Sequence, residues 1–271
     1  MDLVTSIFLG VIQGLTEFLP VSSSGHLVLF QNLFGYKDPE LLFDVGLHLG
    51  TLFAVCLYFR SDLKLMIRET WSFAADLSHR RLTLSKLDTR PHASLTLWVF
   101  MGTLPTALIG LCFRRLLENL FGSVTTVGLM LLCTGMILTV TLLISKDYTK
   151  RNNVGFIAAL AVGLAQGMAI IPGISRSGAT IVCGMLFKLR RDLAARFAFL
   201  LSIPAIVGAM IIQLSALGSS QVSLLSWFAG FLSSVLVGLL ALKMLMRMVQ
   251  RGKLFFFTPY CWALGLFILW I

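Results

Sequence analysis

The chain has 271 residues, 57% of them hydrophobic and 13% charged, with a mean hydropathy of +0.90. A soluble domain carries about 25% charged residues, so the composition excludes one and describes a polytopic membrane protein. The net charge of +10 would suggest nucleic acid as a partner of a soluble chain, but here the basic residues fall in short segments between apolar runs, which makes the charge a matter of membrane orientation and leaves no nucleic-acid partner.

Residues 1–19 and 20–35 are apolar but short, whereas a straight crossing needs about 20 apolar residues. The N-terminus lacks the basic flank and cleavage site of a secretory signal and reads as mature sequence. Residues 13–26, QGLTEFLPVSSSGH, place an acid (Glu17), a helix breaker (Pro20), three hydroxyls (Ser22, Ser23, Ser24), Gly25 and an imidazole (His26) inside this apolar stretch. The breakers predict two half-helices that dip into the membrane and return to the same side. Such backbone is tolerated at depth only when it is buried in protein or lines a wet cavity.

Residues 41–59 read as the first full span, followed by a polar loop over 60–90 that opens with an amphipathic helix. The second and third spans cover 92–113 and 123–144. A second broken hairpin runs over 154–187, split by Pro172, Gly173 and Gly178. The last three spans are expected at 197–215, 224–244 and 254–271. The predicted fold is an all-α polytopic membrane protein of six transmembrane helices plus two re-entrant helical hairpins, one integral membrane domain over 1–271. The five cysteines (Cys56, Cys112, Cys133, Cys183, Cys261) are scattered singly, without metal-ligand spacing, and are expected to be buried small hydrophobes.

The second hairpin repeats the first. Residues 166–179, QGMAIIPGISRSGA, align without a gap on 13–26, so that Ser22-x-Ser24-Gly25 falls on Ser175-x-Ser177-Gly178. Of the 22 Lys and Arg residues, 18 fall on one side of the expected topology and three on the other, Arg176 being the last. The basic side is cytoplasmic by the positive-inside rule, and both termini face outward. Three full crossings separate the two copies, so the repeats, about 1–144 and 154–271, are inverted. Two inverted broken hairpins meeting near the midplane is an arrangement known from transporters.

Ionisable residues at membrane depth are costly and mark function by default, which singles out Glu17. Gln13, four residues earlier on the same helical face, can only hydrogen-bond. His26 can serve as general acid, base or nucleophile. His48 and Asp44, one turn apart in the first span, have no motif around them and read as structural. His79 and His92 read as solvated. A Gly/Ser-rich turn that opens a half-helix aims backbone N–H groups at an anion. Arg176 adds a planar fork suited to phosphate oxygens, and Ser175, Ser177, Gly178 and Thr180 complete the clamp. A nucleophile or base (Ser23, His26), a carboxylate and a phosphate clamp are the inventory of phosphoryl transfer. Burial in the membrane implies that the phosphate is carried by a lipid. The rival is a transporter or flippase of such a lipid, which needs no nucleophile.

Residues 16–26, TEFLPVSSSGH, and 172–180, PGISRSGAT, resemble the two hallmark segments of the bacterial undecaprenyl-diphosphate phosphatase family, the bacitracin-resistance type. FDVGLHLGTLFAV from Phe43 and ARFAFLLSIPA from Ala195 are also similar, so the resemblance covers essentially the whole chain. It implies a bacterial inner-membrane enzyme that removes the terminal phosphate of undecaprenyl diphosphate, regenerating the lipid carrier of peptidoglycan precursors, with its site open to the outer side. It implies dependence on a divalent cation, magnesium or calcium. Carried over by position, Glu17, Ser23, His26 and Arg176 form the catalytic set, Ser175 and Thr180 contact phosphate, and Gln13, Ser22, Ser24, Gly25, Ser177 and Gly178 surround the substrate. Some members have an acid where this chain has Gln13, so a metal site of two carboxylates is not available here. Either Glu17 and the diphosphate hold the ion, or the ion is the counter-ion of the substrate. The residues leave open whether Ser23 or His26 attacks, and whether the protein is a homodimer.

Overall fold

A computed structural model describes residues 1–34, 41–78, 89–113, 116, 120, 123–145, 148–214 and 222–270. Lys37 and His79 lie outside them. Among the described residues the protein is built from helices, and the single extended pairing is a parallel bridge between Arg151 and Leu189.

Helix α1 (Leu3–Phe18) starts at Asp2, whose carboxylate accepts a hydrogen bond from the Thr5 N–H at 2.7 Å, a side-chain N-cap. It stops just before Pro20, which disfavours helical geometry in the residue ahead of it. Helix α2 (Ser23–Leu33) follows Ser22, which sits at φ +67°. The break between the two helices falls where Pro20 and the serine triplet were expected to interrupt the run. Helix α3 (Leu41–Tyr58) bends by 72° into α4 (Arg60–Ser78). α4 is the expected amphipathic helix, with Ile67 and Trp71 exposed one turn apart.

Helix α5 (Pro91–Cys112) carries proline at its first position and is capped from outside. Glu69 of α4 accepts from the N–H groups of His92 and Ala93 at 2.8 and 3.2 Å, and pairs with His92 Nδ1 at 2.7 Å. Partial burial pushes the Glu69 carboxyl up, but these bonds outweigh it and hold it below the ordinary glutamate value. His92 is therefore not the solvated residue expected. It fixes α4 against the start of α5.

Helix α6 (Val124–Thr139) runs into a 3-10 turn (Val140–Leu142). The second hairpin consists of α7 (Phe156–Met168) and α8 (Arg176–Leu186). Its break falls on residues 169–175, where Gly173 has φ +96°. Gly178, expected to be a breaker, lies inside the first turn of α8 instead. Helix α9 (Arg191–Leu214) begins ahead of the expected 197, with Asp192 in its first turn where an acid favours the helix dipole. Arg196 of α9 pairs with Asp62 of α4. Helix α10 (Leu224–Gln250) overruns the expected 244, because Lys243 and Arg247 are good helix formers and Arg247 suits the negative end of the dipole. A 3-10 turn (Leu254–Phe257) leads into α11 (Thr258–Trp270).

Among the described residues, four helices are long and apolar enough to cross a membrane: α5, α6 with its 3-10 turn, α9 and α10; the bent α3–α4 pair is a fifth candidate. The cysteines are all free, but only Cys261 is buried. Cys112 is exposed, and Cys56, Cys133 and Cys183 are half-buried. A thiol is small enough to face lipid from an apolar span, so burial does not follow from the span alone.

The helices pair in a reciprocal pattern. α1 lies along α10, α7 lies along α5, and α6 pairs with α11. Each contact is opened by missing side chains. A Cβ on Gly10 would strike the carbonyl oxygen of Gly230, and one on Gly163 would strike that of Gly102. Small residues at crossings let backbones approach where lipid offers no hydrophobic drive for association. The main core gathers Phe18, Phe197, Leu200, Leu201 and Leu242 beneath the hairpins.

Candidate active site

The two hairpin breaks touch. A Cβ built on Gly178 would stand 3.2 Å from Pro20 Cβ, and one on Gly25 would stand 3.9 Å from Gly173 Cα. Each glycine of one repeat copy thus rests on the break of the other. Within each copy the flanking hydroxyls face each other, Ser22 and Ser24 at 3.3 Å and Ser175 and Ser177 at 3.2 Å. Ser22 takes a left-handed conformation that side chains rarely adopt. Its carbonyl oxygen accepts from the His26 N–H at 3.3 Å, so the strained turn is tied into the start of α2.

Glu17 is the centre of the cluster. Its side chain is 7% exposed. Oε2 accepts from the Ser23 hydroxyl at 2.6 Å and from Gln13 Nε2 at 3.0 Å. Oε1 faces Arg176 Nη1 at 3.5 Å. Gln13, one turn before Glu17 on α1, is fully buried, and its Oε1 has no hydrogen-bond partner. Arg176 comes from the first turn of α8, so the carboxylate of one hairpin meets the guanidinium of the other. This keeps a buried charge paired, the condition for tolerating it at depth.

The clamp around Arg176 is partly self-satisfied. Ser175 caps α8, accepting from the Gly178 N–H at 3.1 Å, and its own N–H donates to Thr134 Oγ1 at 3.0 Å. The Thr180 hydroxyl donates to the Arg176 carbonyl at 2.7 Å. Of the first-turn donors of α8, the cap uses only that of Gly178. A cavity lies against this turn, lined by Glu17, Thr51, Arg176, Ser177, Thr180 and Ser202, with Phe18, Val55, Phe199 and Ile206 forming an apolar wall. A lining that mixes polar groups with hydrocarbon suits an amphiphile with an anionic head.

His26 is engaged elsewhere. Its Nδ1 lies 2.8 Å from the Ser22 carbonyl oxygen. A carbonyl only accepts, so Nδ1 carries the proton and Nε2 of the neutral ring is the acceptor. Nε2 is 2.6 Å from the Tyr260 hydroxyl, and the two rings lie nearly parallel, 8° apart with centroids at 5.8 Å. Both nitrogens are thus occupied, and Ser23 bonds to Glu17 rather than to His26.

Three contributors escaped the sequence reading. Tyr260 sits in α11 with no motif near it, and nothing local could have pointed to it. Thr51 and Ser202 look like ordinary span hydroxyls. His48, read as structural, does donate from Nδ1 toward the Asp44 carbonyl at 2.9 Å, but its Nε2 lies 3.9 Å from Glu17 Oε2. The rule that singled out Glu17 could have singled it out too. Asp44 accepts from Gln31 at 2.7 Å, which agrees with a structural role.

A divalent cation would find limited protein oxygen here. Among the described residues no three His, Cys, Asp or Glu side chains converge. Among the described residues Glu17 is the one carboxylate lining the site, with the unpaired Gln13 Oε1 and the Ser23 hydroxyl beside it. That set fits an ion held mainly by substrate phosphates, with one carboxylate and an amide oxygen from the protein. It does not fit a cage made of protein alone.

Residues 6–267 match the family described as "Bacitracin resistance protein BacA". A protein named undecaprenyl-diphosphatase from Desulforapulum autotrophicum is 44% identical over 271 residues, covering 98% of this chain and 97% of its own length. The undecaprenyl-diphosphatase of Desulfosudis oleivorans is 45% identical over 274 residues, covering 100% and 99%. That of Methanobrevibacter smithii is 38% identical over 270 residues, covering 99% and 97%. Identity at this level along the full length leaves no part of the fold or of the two hairpins outside the match, and the chain belongs to the bacitracin resistance (BacA) family.

Proposed function

We propose that the protein hydrolyses undecaprenyl diphosphate to undecaprenyl phosphate and inorganic phosphate, which returns the lipid carrier to cell-wall synthesis and confers bacitracin resistance. The observation that carries the reading is the Ser23 hydroxyl on Glu17 Oε2 at 2.6 Å, with Arg176 against the other carboxylate oxygen. A hydroxyl bonded to a carboxylate is a nucleophile with its base already in place. The guanidinium beside it is where a terminal phosphate would be neutralised.

The isoprenoid tail lies along the apolar wall, and the diphosphate meets the polar groups of the lining. Arg176 and the first turn of α8 orient the terminal phosphoryl group. Ser23 attacks its phosphorus as Glu17 takes the hydroxyl proton. The bridging P–O bond breaks, and undecaprenyl phosphate leaves. Glu17 passes that proton to the departing phosphate oxygen. Water then attacks the phosphoserine as Glu17 takes the water proton, the Ser23 O–P bond breaks, Glu17 returns the proton to the Ser23 oxygen, and inorganic phosphate is released. Bound with the diphosphate, magnesium or calcium supplies charge neutralisation, and Glu17 and Gln13 Oε1 are the residues that would hold it. His26, fixed by Ser22 and Tyr260, shapes the turn that presents Ser23.

The same reading assigns six spans and two re-entrant hairpins in inverted repeats, about 1–144 and 154–271. The reciprocal pairing of α1 with α10 and of α7 with α5 supports it. The basic side faces the cytoplasm, and both termini and the site open outward from the inner membrane. A flippase would use the same hairpins but gains nothing from a hydroxyl bonded to a carboxylate, so hydrolysis is favoured.

The test is phosphate release from undecaprenyl diphosphate by the purified protein, with and without chelator. Release is expected from the wild type, lost on chelation, and lost in Ser23→Ala. Absence of release by the wild type refutes the activity, and full release by Ser23→Ala refutes the nucleophile.

A further inference from the structure

The end of α10 carries a feature that hydrolysis does not use. Lys243, Arg247 and Arg251 follow one another at four-residue spacing, which puts them in one row on the helix surface. Lys253 joins them after a turn at Gly252, and the four line a common groove. All four are exposed, and none has a carboxylate within salt-bridge distance among the described residues. Like charges one turn apart repel each other. More positive charge lies behind the turn: Gly252, at φ +70°, rests against the guanidinium of Arg191.

Beside the cationic row runs an apolar one. Leu240 and Met244 line the same groove and are 69% and 43% exposed. A free anion would have no use for that second row. A phospholipid uses both, with its phosphate among the cations and its acyl chains along the apolar row. Arg190 is paired with Asp192 and Arg196 with Asp62, whereas within the α10 cluster Lys253 has, among the described residues, only the Phe256 ring, 5.6 Å away. The α10 cluster is unneutralised.

We infer that this groove binds the headgroup of an anionic phospholipid. Basic pockets on the positive side of a membrane protein take such headgroups, and the attraction is screened by salt. The inference is independent of the hydrolytic reading.

The experiment compares thermal unfolding of the full-length protein in mixed micelles of phosphatidylglycerol and of phosphatidylcholine, since a ligand that binds only the folded state raises its unfolding temperature. The wild type is expected to unfold higher in phosphatidylglycerol, with the difference shrinking at high salt. The double variant Arg247→Gln, Arg251→Gln is expected to lose the difference, whatever its baseline in phosphatidylcholine. Lys188→Gln is expected to keep it. The inference is overturned if the double variant keeps the difference, or if Lys188→Gln loses as much of it, which would mean diffuse surface charge. It is also overturned if inorganic phosphate alone reproduces the shift, which would mean a site for free anions.

Discussion

The Ser23 hydroxyl donates to Glu17 Oε2 at 2.6 Å, across the break between α1 and α2. The bond joins the last turn of one half-helix to the first residue of the next, so the strained turn at Ser22 sets its length. Ser23→Ala is expected to lower the rate of phosphate release at least about 100-fold, and Glu17→Gln by about 10²–10⁴-fold, the range for losing a general base. Steady-state assays on folded, detergent-solubilised protein check both. A phosphorylated Ser23 trapped in acid-quenched wild type would identify the nucleophile directly.

Arg176→Ala removes the only guanidinium paired with Glu17 among the described residues, and a loss of about 100-fold or more is expected from the missing transition-state donor. Arg176→Lys keeps the charge but not the planar fork and is expected to recover only part of the rate. A full recovery with Lys would show that charge alone suffices.

Tyr260→Phe leaves the ring stacked on His26 but removes the hydroxyl at Nε2. Loss of one half-buried hydrogen bond costs about 1 kcal/mol, so a modest drop in thermal unfolding temperature is expected, with a few-fold loss of activity. If Tyr260→Phe were as inactive as Ser23→Ala, the tyrosine would be acting on substrate and not through His26.

Gly163→Leu would drive a side chain into the backbone of Gly102. A cost at or above the usual overpacking penalty of about 1–3 kcal/mol is expected. Gly208 of α9 has nothing within 4 Å of its would-be Cβ, and Gly208→Ala should stabilise by up to about 1 kcal/mol through helix propensity. Unfolding temperatures of the two variants should move in opposite directions.

Glu69 is held below its ordinary value by the start of α5. A carboxyl whose folded value is depressed stabilises the fold above its unfolded value, and loses that contribution as pH falls through the folded one. The α4–α5 junction should therefore loosen in acid. Glu69→Gln should be less stable near neutrality and show a flatter dependence on the acid side, as read by thermal unfolding over a pH series.

The sequence made the hairpins legible because their markers are local. Pro20, Pro172 and Gly173 break helices by their own covalent geometry, and a lone Glu17 in apolar surroundings calls for partners. Through the internal repeat it also assigned Glu17 and Arg176 to one site, a long-range inference that composition could not have supplied, though it did not foresee that the two pair with each other. The His26–Tyr260 bond was not legible, because it joins residues 234 positions apart and tyrosine is unremarkable in a membrane span. Helix ends were misjudged at α9 and α10, where capping charges extend helices past their apolar runs. Glu69 caps α5 and turns His92 from a solvated residue into its partner, a pairing that no periodicity encodes.

The hairpin tips lean on each other, Gly178 on Pro20 and Gly25 on Gly173, and α1 rests along α10. During synthesis Glu17 and Ser23 therefore leave the ribosome long before the surfaces that hold them. Until α8 is in place Glu17 has no Arg176 guanidinium to face, and until α10 is in place α1 lacks the helix it lies along. On the proposed chemistry, the newborn chain would be an inert precursor until its second half docks.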